Sequence, residues 1–330
     1  MALMETTSEI QKEVQQKEVP GKVTTSFSGV SIQNVLFATD FSPTSEAALP
    51  YATAICRHFG STLHLAHVMS DSGLLMMSGG VDYISMGTIY EDAHTEAKEK
   101  LEAIAMRLGE IPHRCHVRHG QVWKNLEEVV GDHKIDLIVV GTNGRGGFSK
   151  LLLGSVAEDV LRHAICPVLT VGPRVAGRAR LAVPQGRARD VAPVDLELHE
   201  ILFATNFGRS AARAARAAVR LAEEFHARLT LLHVIEDYTD LSSRPGPMED
   251  GLARLQRLIP ENAALQYAPE RALEFGSASE NILRLASERE ADMIVLGARA
   301  SIEVGSTHLP WSTTHHVLAH AHCPVLTVRG

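Results

Sequence analysis

No stretch of the 330-residue chain approaches the run of about 18 apolar residues that a membrane-spanning helix needs. The expectation is a protein that neither crosses nor enters a membrane. Basic charge is also scarce: 32 Lys and Arg stand against 39 Asp and Glu, a formal net charge of −7. Such a surface gains little from the phosphates of duplex DNA or from anionic lipid, so nucleic acid is not an expected partner. Cysteine is sparse too. Cys56, Cys115, Cys166 and Cys323 lie far apart with no C-x-x-C pair, which argues against a disulfide framework or a zinc ribbon and fits a reducing cytoplasm. The first thirty residues lack the apolar core of about 7–15 residues that marks a signal peptide, and 1–30 are expected to be a mobile tail.

What is present is apolar material, 45% of residues, in an amount that suits two ordinary domains. The chain also repeats itself. VLFATDF at 35–41 returns as ILFATNF at 201–207, LHLAHV at 63–68 as LTLLHV at 229–234, and DLIVVG at 136–141 as DMIVLG at 292–297. CPVLTV at 166–171 returns verbatim at 323–328. Four matched runs in one order, with small shifts of offset, describe two copies of one domain whose loops differ in length. The expected organisation is a tail at 1–30, a first domain at 31–172, a linker at 173–198 and a second domain at 199–330. The linker's stretch 173–193 carries five arginines among prolines and glycines with no helical or strand period, as a solvated connector does.

Within each copy, short Val, Ile and Leu runs alternate with longer stretches of helical period, the pattern of a parallel sheet covered on both faces by crossover helices. In the first copy the strands are expected near 34–39, 62–68, 114–119, 136–140 and 167–171. The segment 42–60 should be helical, with Ser42 as N-cap, Pro43 at the first helical position, Gly60 as the stop and a bend at Pro50.

After the fourth strand the sequence enters GTNGRGGFSKLLLGSVAEDV, a glycine-rich turn leading to a helix. Backbone N–H groups of such a turn and of the helix start converge on one place, and glycine lets an anion approach without an intervening Cβ. Gly141, Gly144, Gly154 and Ser155 stand in the spacing G-x2-G-x9-G-S. Two other phosphate motifs fail on the same residues. A Walker A loop counted from Gly141 reaches Gly146 and then Gly147 where its lysine belongs. The dinucleotide fingerprint belongs after a first strand, and these glycines follow the fourth.

On these residues the chain resembles a tandem universal stress protein, over residues 32–172 and 199–330, with the G-x2-G-x9-G-S spacing followed by CPVLTV carrying the likeness. The resemblance implies an α/β fold of two Rossmann-like domains of the adenine nucleotide alpha hydrolase-like kind. Each would hold a five-stranded parallel sheet in order 3-2-1-4-5 with helices on both faces. It further implies ATP as ligand, expected with Mg²⁺. By similarity, Ala38, Thr39, Asp40 and Val68 line the adenine and ribose end. Gly141, Gly144, Gly154, Ser155 and Val156, with Thr142, Asn143 and Arg145 of the same turn, cradle the triphosphate. Asp40 has two readings: a ligand for ribose or adenine, and an Asx cap on the helix after Ser42. The family also pairs domains through the fifth strand, so 167–171 is expected beside 324–328 as an intramolecular pseudo-dimer, with a homodimer of such pairs left open.

The second copy departs from the motif. Asp40 becomes Asn206, Gly144 becomes Ala300 and Gly154 aligns with Trp311, while Gly297 and Ser312 survive. One ATP is therefore expected, in the first domain. Among the 17 histidines, His113, His116 and His119 alternate faces on a strand and do not converge, and His316 with His320 makes half a site at most, so no metal site is expected. Cys166 and Cys323 precede proline at the last strands, where burial is the expectation. The Met- and Gly-rich stretch 69–87 is read as a long connection on the ligand side, a lid or plain disorder.

Two other functions compete with a nucleotide-dependent stress-response module. One is a slow ATPase or phosphotransferase using Asp40 or a nearby histidine with Mg²⁺; the other is a ligand-free dimerisation scaffold. No catalytic base is evident, and none is assigned.

Overall fold

A computed structural model describes residues 31–70, 83–142, 153–175, 196–236, 246–298 and 310–329. The tail 1–30, most of the linker, the greater part of the Met- and Gly-rich connection, and Asn143, Gly144, Arg145 and Ala300 lie outside the described residues.

In the first half the strands are β1 (Asn34–Ala38), β2 (Thr62–Met69), β3 (His113–His119), β4 (Leu137–Gly141) and β5 (Val168–Val171). Between them run α1 (Pro43–Glu46), α2 (Leu49–Phe59), α3 (Tyr83–Ala105), α4 (Val122–Asp132) and α5 (Ser155–His163). The second half repeats the plan with β6 (Glu200–Ala204), α6 (Ala211–Phe225), β7 (Arg228–Ile235), α7 (Pro247–Arg257) and β8 (Glu270–Phe275). It continues through α8 (Ala278–Glu288), β9 (Met293–Ala298), α9 (Pro310–His320) and β10 (Val325–Arg329).

Pairing within each half is parallel, and both halves have the expected order 3-2-1-4-5. They join as a single ten-stranded sheet, β3-β2-β1-β4-β5-β10-β9-β6-β7-β8. The seam is the antiparallel pair β5/β10, in register Val325↔Thr170, Leu326↔Leu169 and Thr327↔Val168. Each fifth strand thereby covers the other's open edge. The edges that remain outward are β3 and β8, HRCHVRH and ERALEF, whose charged side chains oppose further strand addition. Away from the sheet, His58 of α2 stacks on Phe225 of α6 with ring centroids 4.4 Å apart, and its Nε2 meets Glu224 at 2.9 Å.

The strand runs are apolar on both sides because helices cover both faces. One core holds Val35, Phe37, Leu65 and Val139 with Ile55 of α2 and Leu101 of α3, and runs on through Phe203, Val295 and Leu326. The other holds Leu36, Ala66, Ile138 and Val140 under α4 and α5, and continues through Leu202, Ile294 and Val325 under α8 and α9. Both cores cross the seam without a break.

The segment after β1 begins and ends as its sequence suggests. Ser42 accepts from the Ser45 amide at 3.2 Å, Pro43 opens α1, and Gly60 closes α2 in the left-handed region at φ 69°. Pro50 does more than bend it: the segment splits into α1 and α2 around Ala47 and Ala48, because Pro50 has no N–H to carry the ladder onward. The connection after β2 is also shorter than its glycines suggest, since α3 has begun by Tyr83 and takes in Met86 and Gly87. Of the cysteines, Cys56 and Cys323 are buried, Cys166 is half-buried and Cys115 is exposed. Burial pushes the Cys56, Cys166 and Cys323 thiols up to about 12, so they are inert packing groups at neutral pH. Among the described residues, no helix is long and apolar enough to cross a membrane.

Candidate functional site

In the order 3-2-1-4-5 the crossovers change direction between β1 and β4, and that is where an open parallel sheet forms a crevice at its carboxyl ends. Ala38 ends β1 there and Gly141 ends β4. Val68 stands one residue before the end of β2, half-buried.

The turn after β1 is held by its own polar groups. Thr39, buried, donates its amide to Ala66 at 2.9 Å and pairs its hydroxyl with that of Ser45 at 2.9 Å. The same hydroxyl accepts from the Phe41 amide at 2.9 Å, which holds Phe41 in the left-handed region at φ 61°. His67 Nδ1 donates to the Thr39 carbonyl at 2.8 Å, and its ring lies 4.4 Å from Phe41. Asp40 Oδ1 accepts from the Ser42 amide at 3.0 Å, an Asx turn that leads into Ser42, the N-cap of α1.

The second domain rebuilds this turn almost atom for atom. Thr205 accepts from Phe207 N at 3.0 Å, Phe207 has φ 57°, and His233 reaches the Thr205 carbonyl at 2.8 Å. Asn206 Oδ1 accepts from Gly208 at 2.9 Å in the place of Asp40. The Asx turn therefore needs only an amide or carboxylate oxygen; what Asp40 has and Asn206 lacks is the negative charge.

At the end of β4 the glycines divide by role. A Cβ on Gly141 would stand 2.6 Å from the Thr44 carbonyl oxygen and 2.9 Å from Ser45 Cα, so this glycine lets β4 lie against α1. Gly297 has the same duty: its Cβ would meet Ser210 Oγ at 2.5 Å. Close packing explains why this one glycine persists in both copies. The buried Thr142 donates its amide to Val171 at 3.0 Å, and its carbonyl accepts from the Gly154 amide at 2.6 Å. That bond sets the start of α5 beside the end of β4.

Gly154 is the N-cap of α5, in extended conformation, and has no side chain to cap the helix. The first-turn amides of Ser155, Val156 and Ala157 have no acceptor within the helix and carry the positive end of its dipole. In the second domain the helix starts earlier: α9 begins at Pro310, so Trp311 falls inside the helix where the first domain has its glycine cap.

The structure thus brings Ala38, Thr39, Asp40, Gly141, Thr142, Gly154, Ser155 and Val156 to one end of the sheet, with Val68 on the neighbouring strand. His113, His116 and His119 do not converge, as expected: His113 binds the Ile111 carbonyl and His119 meets Tyr90 edge-on, while His316 and His320 stack on α9 with ring centroids 4.2 Å apart. His116 instead joins His64 and His133, a grouping hidden by sequence separations of 52 and 17 residues. The signal that could have found it is the parallel register, which sets β3 beside β2.

A profile of the universal stress protein family matches residues 31–172 and again 197–329. A universal stress protein of Methanocaldococcus jannaschii is 30% identical over 139 residues, 42% of this chain and 81% of its own length. Universal stress protein A homolog 1 of Coxiella burnetii is 33% identical over 140 residues, 42% of this chain and 95% of its own. Among solved structures, a universal stress protein from Archaeoglobus fulgidus aligns over 91% of this chain and 99% of its own, with TM-score 0.65 at 21% identity, a likeness of fold that spans both halves.

Proposed function

The chain belongs to the universal stress protein family through both of its halves, and from that premise we propose that it is a stress-response module that binds one ATP, in the crevice between β1 and β4 of the first domain. The same proposal divides the chain into domains at 31–172 and 199–330 joined through 173–198, and leaves the second crevice without a triphosphate. The observation that carries it is the Gly154–Thr142 bond, which places the side-chain-free cap of α5 at the switch point of the sheet.

Gly154 also decides whether these residues suit a triphosphate. With no side chain on the cap, the amides of Ser155 and Val156 and the Ser155 hydroxyl are open to phosphate oxygens, and the dipole of α5 favours the negative charge. Thr142 is held by two backbone bonds, and Asn143, Gly144 and Arg145, which follow it in sequence, are proposed to add contacts to the triphosphate. Asp40, locked by its bond to Ser42, offers a carboxylate at the end of β1 for hydroxyl or amino donors of the nucleoside, beside Ala38, Thr39 and Val68. ATP supplies the charge and the accompanying Mg²⁺; the chain supplies amides, hydroxyls and a shaped end of sheet.

Nothing in that donor set activates a water. The glycine stretch carries no Walker lysine, since Gly146 and Gly147 stand where the motif would turn to it. The site therefore holds the nucleotide, and occupancy rather than turnover is its output. Native mass spectrometry of the full chain with saturating ATP is the test: a single adduct of the mass of ATP, released slowly as ADP if at all, is expected. Absence of any adduct would overturn the reading.

A further inference from the structure

Away from the crevice, three histidines from distant points of the first domain meet on the sheet face covered by α4. His64, buried on β2, sets Nδ1 3.0 Å from Nε2 of His116 on β3. His133, the C-cap of α4, brings its ring to 4.6 Å from His64 and 4.9 Å from His116, centroid to centroid. One nitrogen from each ring lies within 4.8 Å of the others. Three imidazoles on a zinc-sized ion hold their nitrogens about 3.4 Å apart, from metal–nitrogen bonds of about 2.0–2.1 Å in tetrahedral geometry. One separation is already that short, and small rotations of His133 at the helix end close the others.

We infer that His64, His116 and His133 form a binding site for a divalent transition-metal ion of the zinc class, stapling β2, β3 and α4 together.

The donor set selects the ion. Imidazole suits zinc, copper and nickel, whereas Mg²⁺ and Ca²⁺ require oxygen ligands. The site is thereby distinct in chemistry from the Mg²⁺ that accompanies ATP. It is distinct in place as well: α4 runs antiparallel to the strands, so its C-cap His133 lies toward the amino ends of the strands, opposite the crevice.

His64 Nε2 faces Asn34 Oδ1 at 3.4 Å, which directs its proton outward and leaves Nδ1 as the ligand. The Asn34 backbone is fixed in turn, its main-chain N–H donating to Asp136 Oδ2 at 3.0 Å.

The duplication supplies an internal control. Equivalent positions in the second domain are Thr230, Ala272 and Arg289: Thr230 pairs with β6 as His64 does with β1, Ala272 sits in register beside Leu232 as His116 does beside Ala66, and Arg289 is the C-cap of α8. There Thr230 Oγ1 donates to Glu200 Oε1 at 2.7 Å instead. The same fold closes without histidines, so the trio is not a packing requirement.

The test uses the full-length, chelator-treated chain without a histidine tag or nucleotide. Zn²⁺ should bind at one ion per chain by calorimetry and raise the melting temperature, and Co²⁺ should give the visible bands of a tetrahedral nitrogen site. His116→Gln and His133→Gln should each weaken Zn²⁺ at least about tenfold and abolish the thermal shift, while keeping the metal-free circular dichroism spectrum. The double variant His316→Gln with His320→Gln, which removes the stacked pair on α9, should bind as wild type. No binding to the wild type, unchanged affinity in His133→Gln and His116→Gln, or loss in the α9 double variant would overturn the assignment. ATP binding measured on the same variants should not change, which separates this site's failure from that of the nucleotide crevice.

Discussion

The amide of Gly154 donates to the carbonyl of Thr142 at 2.6 Å, tying the N-cap of α5 to the first residue beyond β4. Gly154 has φ −66° and ψ 147°, a backbone that proline also adopts. Gly154→Pro keeps these angles but sets its ring Cδ where the N–H now points at the Thr142 carbonyl, so it both breaks the bond and crowds the acceptor. Thermal denaturation should show a loss of more than about 1 kcal/mol, since a hydrogen-bonded N–H is replaced by a crowded ring and the less flexible unfolded chain offsets only part of it. ATP affinity, measured by equilibrium dialysis, should fall by about tenfold or more as the start of α5 loosens from the end of β4.

Asp40→Asn separates the two duties of that residue. Asn206 shows that the amide sustains the same turn, so the variant's melting curve should match wild type within about 0.5 kcal/mol. Its ATP affinity should drop by about tenfold, the value of one charge-assisted hydrogen bond made neutral. Equal affinity would confine Asp40 to its turn.

Gly141→Ala and Gly297→Ala differ in what the new methyl meets. At Gly141 it meets backbone, the Thr44 carbonyl oxygen at 2.6 Å; at Gly297 it first meets the Ser210 hydroxyl at 2.5 Å, a side chain that can rotate. Gly141→Ala should cost about 1–3 kcal/mol and Gly297→Ala less, as read by urea denaturation.

Leu169 and Leu326 face each other across the seam. Residues directly opposed in an antiparallel pair have Cα atoms about 4.5–5.5 Å apart, within disulfide reach. With Cys115→Ser removing the exposed thiol, the pair Leu169→Cys and Leu326→Cys should oxidise to a disulfide within one chain, running as a monomer on non-reducing gels. Cross-linked dimers alone would place the seam between chains.

Much of this architecture was legible in the sequence because burial on both faces leaves strands such as LIVV wholly apolar and VLTV apolar but for one threonine, and because each run occurs twice. The seam was legible for the same reason: an apolar edge strand needs a partner. Gly141 was legible only as a phosphate contact, since the close approach of Thr44 depends on how α1 folds back over β4. The break between α1 and α2 shows in the sequence only as a bend at Pro50, because propensity alone does not say whether neighbours will hold Ala47 and Ala48 in the helix. The histidine trio was hidden because its members lie on separate elements and meet only through the register of β2 with β3 and the length of α4.

Calorimetric titration of ATP into the wild type and into Gly154→Trp addresses the central claim. The substitution gives the first domain the residue that the second carries at Trp311, inside a helix that starts earlier. One ATP per chain should bind to the wild type, and binding should be lost in the variant while its circular dichroism is retained. Two equivalent sites in the wild type, or unchanged affinity in Gly154→Trp, would contradict a single nucleotide held at the cap of α5.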